Sequence, residues 1–521
     1  MPPSLRPWSV QAAIIVGLGM LITLPWLGHS GLAASEGFRA LPAWQALDQA
    51  PETSFTDRWI VTRLFEQPYL RKPPGMVWAI GLTSSVLGPT EFAARLVSAL
   101  ATIASALTAW SFARRWFGPG PGLMSGLLLL LMPVLWKSAK AAEIEALHNF
   151  FALASSLLIL DILLARPRSP GEVFERGWLV THLPAGLASA LLALSTGAML
   201  LTKGPAAVPV LACAALAAPI AARRVQLLKS WPLALGLLLG GLIFLLYLLE
   251  AKAALARSGL QAVTQEPTEF LWRQDRLTNI ALLPLTSLGA ALPCAVAVPA
   301  LIWWWLARLP GSQGRAGQLG VALGLAFGLS VITFTLMGVG NVRYIQPAMS
   351  LVAIAAAFAA STLLRSPDPT DTALVRFLRL RSPRAWVAFL LTCALLHAVW
   401  FEYRRVTRTS GERAGIELAQ LLPDGATLIA DQSIDTRPEV FWYAQREARR
   451  QGRSLRVLWR PMSLYPTLNP PSGTFVALRD DDRDEFGREA GLVGSWLPLA
   501  GLEPVYETTV HVFGLRVFRI R

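Results

Sequence analysis

Residues 231–249 read WPLALGLLLGGLIFLLYLL, an apolar run that ends at the charged Glu250. Such a run is typical of a membrane-spanning helix, because about 20 apolar residues cross the hydrocarbon core of a bilayer. The whole chain has the same character: 54% of its 521 residues are hydrophobic and 15% are charged, whereas soluble domains carry about 25% charged residues. The composition therefore predicts a multi-span membrane protein and excludes a disordered, collagen-like or coiled-coil chain.

Similar apolar runs recur along the chain and predict about eleven transmembrane helices in a mostly α-helical, polytopic protein. Besides 231–250, they lie near 8–27, 92–113, 121–137, 147–165, 184–202, 205–222, 279–306, 316–338, 345–364 and 385–401. The first run lacks a small-residue cleavage site, which indicates a retained signal-anchor. Residues 73–88 are too short and too glycine-marked to span, so we predict an interfacial helix along the bilayer surface.

The formal net charge is +14, from 47 Lys and Arg residues against 33 Asp and Glu residues. In a soluble protein this excess would suggest a nucleic-acid partner. Here the positive charge falls in alternate loops between the spans, from Arg114-Arg115 through Arg223-Arg224 to the segment 365–384. Short cytoplasmic loops carry this bias. We therefore predict a multi-pass protein of the inner (cytoplasmic) membrane, with a cytoplasmic N-terminus and no nucleic-acid partner.

The predicted topology divides the chain into two domains. Residues 1–401 form the transmembrane domain, whose first extracytoplasmic loop, with its juxtamembrane helices, covers 29–91. Residues 402–521 change composition, with turn residues between strand-like runs at 426–430, 474–478 and 508–520. We predict a small, soluble α/β domain on the extracytoplasmic side. The three cysteines stand in apolar runs and form neither a disulfide framework nor a thiolate zinc site.

Ionisable residues cluster at the predicted outer ends of the helices, where such groups are functional candidates. Topology brings four clusters to one face: the first loop with Ser35, Glu36, Arg39, Arg58, Arg71 and Lys72; the loop 140–146 with Glu143 and Glu145; the turn 201–205 with Lys203; and the turn 341–347 with Arg343 and Tyr344.

These residue types suit one kind of chemistry. Lys and Arg side chains bind phosphate at a membrane surface, and a carboxylate deprotonates a hydroxyl nucleophile. A sugar joined to a lipid phosphate would use both, because the cations stabilise the departing phosphate while the carboxylate activates the acceptor.

The order of these motifs resembles the GT-C membrane glycosyltransferases, in the branch of protein O-mannosyltransferases and the lipid A aminoarabinose transferase. The resemblance covers roughly residues 8–400 and rests on the long first loop with its acid, Lys-Pro-Pro at 72–74, Phe-Ala-Ala-Arg-Leu at 92–96, Leu-Thr-Lys-Gly-Pro at 201–205 and Arg-Tyr at 343–344. It implies a GT-C fold and inverting transfer of a sugar from a polyprenyl-phosphate donor on the outer face. The acceptor is a lipid, a glycan or a protein.

The resemblance assigns roles to individual residues. Glu36 matches the second acid of the family's Asp-Glu motif, and Ser35 stands where the family has the Asp that usually acts as the base. We rank Glu36 first as the base, with Glu143 and Glu145 as alternatives, or else the chain is catalytically altered. The residues assigned to binding of the donor phosphate are Arg71, Lys72, Lys203, Arg273, Arg343 and Tyr344. The residues assigned to binding of the substrate are Ser35, Arg39 and Arg58.

Several alternatives stay open at this point. A transporter or flippase for a lipid-linked sugar, or a non-catalytic relative, would also use outer-face cations. Arg95 is interpreted as a helix cap, as a partner of Glu91 or as a ligand contact. No cofactor is assigned. A divalent metal remains an alternative because His148 follows Glu145 by three positions, on one helix face, but two ligands do not make a metal site.

Overall fold

The computed structural model describes residues 6–50, 52–65, 67–164, 184–258, 276–291, 294–307, 314–339, 341–363, 410–431, 437–460, 472–480, 502–510 and 513–520. Its helices are α1 (Arg6–Thr23), α2 (Gly37–Asp48), α3 (Gly75–Leu87), α4 (Glu91–Phe117), α5 (Pro119–Leu130), α6 (Pro133–Ala139), α7 (Ile144–Leu164), α8 (Ala185–Lys203), α9 (Val208–Ala222), α10 (Trp231–Ser258), α11 (Arg276–Ala290), α12 (Ala297–Leu306), α13 (Arg315–Leu336), α14 (Gln346–Leu363), α15 (Ser410–Leu421) and α16 (Pro438–Arg450).

Five helical stretches of the described residues are long and apolar enough to cross a membrane, or six when the bent pair α5 and α6 counts as one span. Large apolar side chains stand exposed on them, among them Leu238 and Leu246 of α10, as expected of helices that face lipid. The chain is a multi-pass membrane protein. The predicted number of eleven helices goes beyond this count, and the span predicted at 385–401 lies outside the described residues.

The apolar run predicted as one span at 279–306 is not a single helix. Helix α11 ends at Ala290 and α12 begins at Ala297. Between them, Cys294–Val296 form a short 3₁₀ helix. The hydropathy of this run reflects its apolar length and does not indicate that the helix is interrupted.

The chain turns back between α8 and α9. Gly204 has a φ of 69°, a conformation that glycine adopts readily because it has no Cβ. Both helices pack along α7, which is only 21 residues long. If α8 and α9 formed one straight helix of 38 residues, it would be about 57 Å long at 1.5 Å per residue. Helix α9 would then lie beyond the end of α7 and could not pack along it. Lys203 therefore lies at the tip of a helical hairpin.

Helix α7 is the centre of the transmembrane bundle. It contacts α4, α8, α9 and α14, and most of its side chains are buried. Its polar first turn, with Glu145, His148 and Asn149, is buried as well. This places two acidic residues, Glu143 and Glu145, at a packed helix end.

The tail forms a mixed five-stranded sheet. Its strands are β3 (Ala426–Asp431), β4 (Leu455–Arg460), β5 (Phe475–Asp480), β6 (Leu502–Val510) and β7 (Phe513–Ile520), after a small antiparallel pair in the first loop, β1 (Arg63–Leu64) and β2 (Gln67–Pro68). The order is β4-β3-β5-β7-β6; β3 is parallel to β4 and β5, and β7 is antiparallel to β5 and β6. The strand-like run predicted at 508–520 belongs to two strands of this sheet.

The tail and the first loop share a hydrophobic cluster. Trp442 of α16 packs on Trp44 of α2 with ring centroids 4.7 Å apart. The hydroxyl of Tyr443 accepts a hydrogen bond from the Leu32 amide at 2.6 Å and donates one to Glu91 at 3.0 Å. Since a shared core cannot form across a bilayer, the loop and the tail lie on the same side of the membrane. The domain boundary at 401/402 stays a prediction.

Candidate active site

Segments that are far apart in sequence meet at the end of the bundle where α7 begins. The hydroxyl of Ser35 lies 3.1 Å from Oε1 of Glu143. A Cβ added to Gly75 would come within 2.8 Å of the Leu201 carbonyl oxygen, so the Lys-Pro-Pro segment rests directly on the turn that carries Lys203. The helix predicted at 73–88 is present as α3, which begins directly after this segment; its place along the bilayer surface stays a prediction.

A group of cations, here called the cation cluster, surrounds Lys72; its other members are Arg39, Arg71, Lys203 and Arg343. Burial and the positive charges of these four residues together lower the pKa of Lys72 to about 8. Mutual repulsion of this kind makes a bound anion favourable, because the anion removes both the repulsion and the loss of hydration. The cation cluster is therefore suited to a phosphate.

Lys203 and Arg343 flank an aromatic ring. The ammonium group of Lys203 lies 4.7 Å from the centre of the Tyr344 ring, and the guanidinium of Arg343 lies 5.4 Å from it. Lys203 also forms a buried ion pair with Glu145 at 3.1 Å. The structure thus brings together three residues predicted to bind the donor phosphate and one predicted carboxylate.

The remaining predicted cations differ in their placement. Arg39 is buried and donates a hydrogen bond to the Tyr69 hydroxyl at 3.3 Å, which holds it in the cation cluster. Arg58 donates instead to the carbonyl oxygens of Ala46 and Leu47, so it caps the end of α2. Arg273 lies outside the described residues.

Glu36 is held by Arg95 through two hydrogen bonds of 2.7 Å, and its oxygens also accept from the amides of Ala33 and Ala142 at 2.8 Å. Burial alone would raise the pKa of Glu36, but the Arg95 charge and these hydrogen bonds hold it below its usual value. Arg95 is itself fully buried. A carboxylate with these partners is poorly placed to accept a further proton.

Arg95, for which the sequence leaves open a cap, a pair with Glu91 or a ligand contact, is instead the partner of Glu36. Glu91 pairs with Arg446 of the tail at 3.3 Å. The usable signal was the position of Arg95 in the first turns of an otherwise apolar helix, where a charge needs a partner. The partner lies 59 residues away in the sequence.

Glu143 lies in a different environment. It is half-buried, and its carbonyl oxygen accepts a hydrogen bond from the Ser98 hydroxyl at 3.2 Å. Burial and the neighbouring negative charge of Glu145 raise the pKa of Glu143 to about 6. Within the described part of the chain, Glu143 has no ion pair, and its side chain accepts a hydrogen bond from Ser35.

The tail reaches the site at Gly37. Glu439 of α16 is fully buried, and among the described residues neither of its oxygens has a hydrogen-bond partner. A Cβ on Gly37 would lie 2.8 Å from one of them. Burial raises the pKa of Glu439 to about 8. Trp459 of β4 packs against the first loop in the shared hydrophobic cluster, with its ring centre 6.2 Å from that of Tyr69.

No three His, Cys, Asp or Glu side chains converge among the residues that the structure describes. His148 directs Nδ1 towards the Met199 carbonyl oxygen at 3.3 Å, and Glu145 is engaged with Lys203. These two residues therefore do not form the pair of metal ligands considered from their spacing.

Comparison with known proteins places this geometry in context. Residues 71–249 match the sequence profile of a family described as dolichyl-phosphate-mannose-protein mannosyltransferase. The crystal structure of ArnT from Cupriavidus metallidurans in the apo state aligns with a TM-score of 0.63 over 99% of this chain and 98% of that one, at 15% identity. The chain has an ArnT-like fold. The ArnT crystal structure bound to undecaprenyl phosphate aligns over 98% of both chains, with a TM-score of 0.59 and 17% identity.

Related proteins found by sequence match a shorter segment of this chain. The undecaprenyl phosphate-alpha-4-amino-4-deoxy-L-arabinose arabinosyl transferase 1 of Pseudomonas fluorescens is 26% identical over 183 residues, which are 35% of this chain and 31% of that protein. The corresponding transferase of Pseudomonas aeruginosa is 26% identical over 175 residues, or 33% and 30%. The chain thus matches about a third of the length of these relatives. The resemblance inferred from the motifs is confirmed at the level of the fold.

Proposed function

We propose that the chain is an integral-membrane, inverting glycosyltransferase that moves a sugar from a polyprenyl-phosphate-linked donor to an acceptor. The acceptor is a lipid, a glycan or a protein. The ArnT-like fold supports the proposal, as do relatives that are named arabinosyl transferases and an ArnT structure that is bound to undecaprenyl phosphate.

The observation that carries the proposal is the cation cluster beside two carboxylates. Lys72, Lys203 and Arg343 are the residues we assign to the donor phosphate, with Arg71 and Arg39 adding positive charge. Glu145, in the first turn of α7, pairs with Lys203, and Glu143 directly precedes that helix. Cations that bind a phosphate beside a carboxylate that can take a proton suit transfer from a lipid-linked phosphate.

The chemistry follows from charge. As the bond between the sugar and the phosphate breaks, negative charge grows on the phosphate oxygen, and fixed cations stabilise that charge. The acceptor attacks the anomeric carbon from the opposite face, which inverts its configuration. A carboxylate takes the proton that the acceptor hydroxyl loses.

We place the reaction on the extracytoplasmic side of the inner membrane, with the N-terminus in the cytoplasm and the tail outside. Two observations support this orientation. Positive charge is concentrated in the loops on the opposite side, and the tail shares its core with the first loop, so both belong to one compartment.

Transfer is tested with purified protein in liposomes that contain radiolabelled polyprenyl-phosphate sugars, by following loss of sugar from the lipid. Lys72→Ala is expected to weaken donor binding roughly 10- to 100-fold, since a charge-assisted hydrogen bond contributes about 1.5–3 kcal/mol. Lys229→Ala, which removes an exposed lysine after α9, is the matched control and should behave as the wild type. If the donor crosses the bilayer without losing its sugar, the protein is a transporter and the proposed transferase function is wrong.

A further inference from the structure

We propose that Glu143, oriented by Ser35, is the general base that deprotonates the acceptor hydroxyl. This assignment rests on the proposed transferase function. It follows from the environments of the three carboxylates at the site, two of which are committed to other partners while the third is not.

Glu36 is committed to structure. Its two oxygens accept four hydrogen bonds, two from Arg95 and one each from the amides of Ala33 and Ala142. A general base must have an oxygen within hydrogen-bond reach of the acceptor proton. For Glu36 to serve, the acceptor would have to displace Arg95 or a loop amide, and a fully buried guanidinium would lose its counter-charge.

Glu145 neutralises the buried charge of Lys203. Its ion pair with Lys203 has both side chains almost fully buried, so protonation of Glu145 would leave Lys203 without its counter-charge. Lys203 also lies 4.7 Å from the centre of the Tyr344 ring, among the residues that we assign to the donor phosphate. Glu145 is therefore the residue that holds Lys203 in place, which makes it a positioning residue.

Glu143 has the properties that the other two lack. It is half-buried, it has no ion pair among the described residues, and the bond it accepts comes from a neutral hydroxyl at 3.1 Å. Its backbone is fixed by Ser98, and the preceding amide is fixed by Glu36. Burial and Glu145 raise its pKa to about 6, and a base acts most efficiently when its pKa lies near the working pH.

The step balances as follows. The acceptor O–H bond breaks and its proton moves to a carboxylate oxygen of Glu143. The acceptor oxygen forms a bond with the anomeric carbon, the bond from that carbon to the phosphate oxygen breaks, and its electron pair stays on the phosphate. The products are the glycosylated acceptor and the polyprenyl phosphate, and Glu143 then returns its proton to water.

The decisive test relocates the carboxylate. Glu143→Gln is expected to lower kcat by more than about a hundredfold while donor binding, measured separately, stays within about twofold. Adding Ser35→Asp to Glu143→Gln restores a carboxylate about 3 Å from the lost one and should recover at least a tenth of the wild-type rate. The matched control, Glu143→Gln with Ser35→Asn, has the same shape without the charge and should not recover.

A pH profile separates a catalytic role from a structural one. The acidic limb of the kcat/KM profile should follow Glu143, and Ser35→Ala should move this limb to higher pH, because the Ser35 hydrogen bond favours the charged carboxylate. This readout does not depend on whether Glu143→Gln folds well.

The outcomes are distinguishable. If the wild type transfers sugar and Glu143→Gln transfers it at the same rate, the base is not Glu143 and the transferase function stands. If Glu143→Gln is inactive but the limb does not move in Ser35→Ala and neither double variant recovers, Glu143 is structural and the inference is overturned. If the wild type turns over no donor, the proposed function itself is wrong.

Discussion

Glu36 and Arg95 form a buried ion pair in which two hydrogen bonds of 2.7 Å join the carboxylate to the guanidinium. The same carboxylate binds the Ala142 amide, and the same guanidinium binds the carbonyl oxygens of Leu27, Ser30 and Gly31. One pair therefore ties the first loop to α4 and to the segment that presents Glu143. Its charge is used to fix the geometry of the site.

We expect Glu36→Gln to destabilise the protein by about 3–5 kcal/mol, the cost of leaving a buried charge without its partner. Thermal unfolding in detergent measures this loss. The control is Glu417→Gln, which removes the charge beside the exposed Arg413 in an i,i+4 pair but can still accept the hydrogen bond from the Tyr506 hydroxyl, and it should change stability far less because solvent screens this pair. Equal unfolding temperatures for Glu36→Gln and the wild type would show that the pair is not needed for stability.

Donor binding should weaken as the pH rises through about 8, because Lys72 loses its proton there and with it the charge that attracts the phosphate. Measuring the donor Kd between pH 6.5 and 9.5 tests this. Lys72→Arg supplies a cation that stays charged throughout, so the alkaline loss should disappear in this variant. An identical alkaline loss in Lys72→Arg would assign it to another group.

The close approach of the Lys-Pro-Pro segment (72–74) and the turn 201–205 can be tested at Gly75. A Cβ at this position would meet the Leu201 carbonyl oxygen at 2.8 Å and the Thr202 hydroxyl at 3.1 Å, which would push Lys72 away from Lys203. Since small misplacements of reacting groups are costly, Gly75→Ala should lower kcat/KM roughly 10- to 100-fold. Gly241→Ala in α10, where nothing lies within 4 Å of the added Cβ, should leave kcat/KM unchanged.

Glu439 should make stability depend on pH in an unusual direction. Its folded-state pKa of about 8 lies above that of an unfolded carboxyl, so the folded protein binds the extra proton between pH 4.5 and 8. Stability from this group is full below the unfolded value and falls as the pH rises to about 8. Unfolding temperatures of the wild type and Glu439→Gln should therefore diverge over that range, with the variant more stable at pH 8. Glu447→Gln, on the same helix beside Arg450, should track the wild type.

The sequence was sufficient for the fold class and for most of the cation cluster. Long apolar runs leave no alternative to membrane spans, and the Lys-Pro-Pro and Leu-Thr-Lys-Gly-Pro motifs placed Lys72 and Lys203 near each other. The convergence of Arg343 and Tyr344 with them is likewise as expected.

The pairings of the carboxylates were beyond the sequence. Whether Glu36, Glu143 or Glu145 is free depends on which cation lies beside each one, and these contacts join residues 58 and 59 positions apart. Local patterns carry no information about such pairs. Two further features could not be predicted for the same reason: the capping role of Arg58 at α2, and the break between α11 and α12. The charge of a residue does not indicate the direction of its side chain, and hydropathy does not indicate the path of the backbone.

The shared core of loop and tail also bears on how the molecule is made. The Leu32 amide and the Tyr443 hydroxyl that binds it are 411 residues apart in the chain. Because translation proceeds from the N-terminus, the first loop is synthesised before the described spans that follow it and before α16, which packs on it. Apolar side chains such as Phe38 and Trp44 are exposed during that interval. We therefore expect the candidate site to be completed late in biosynthesis, and a nascent chain that stops before the tail to lack the contacts between the tail and the first loop.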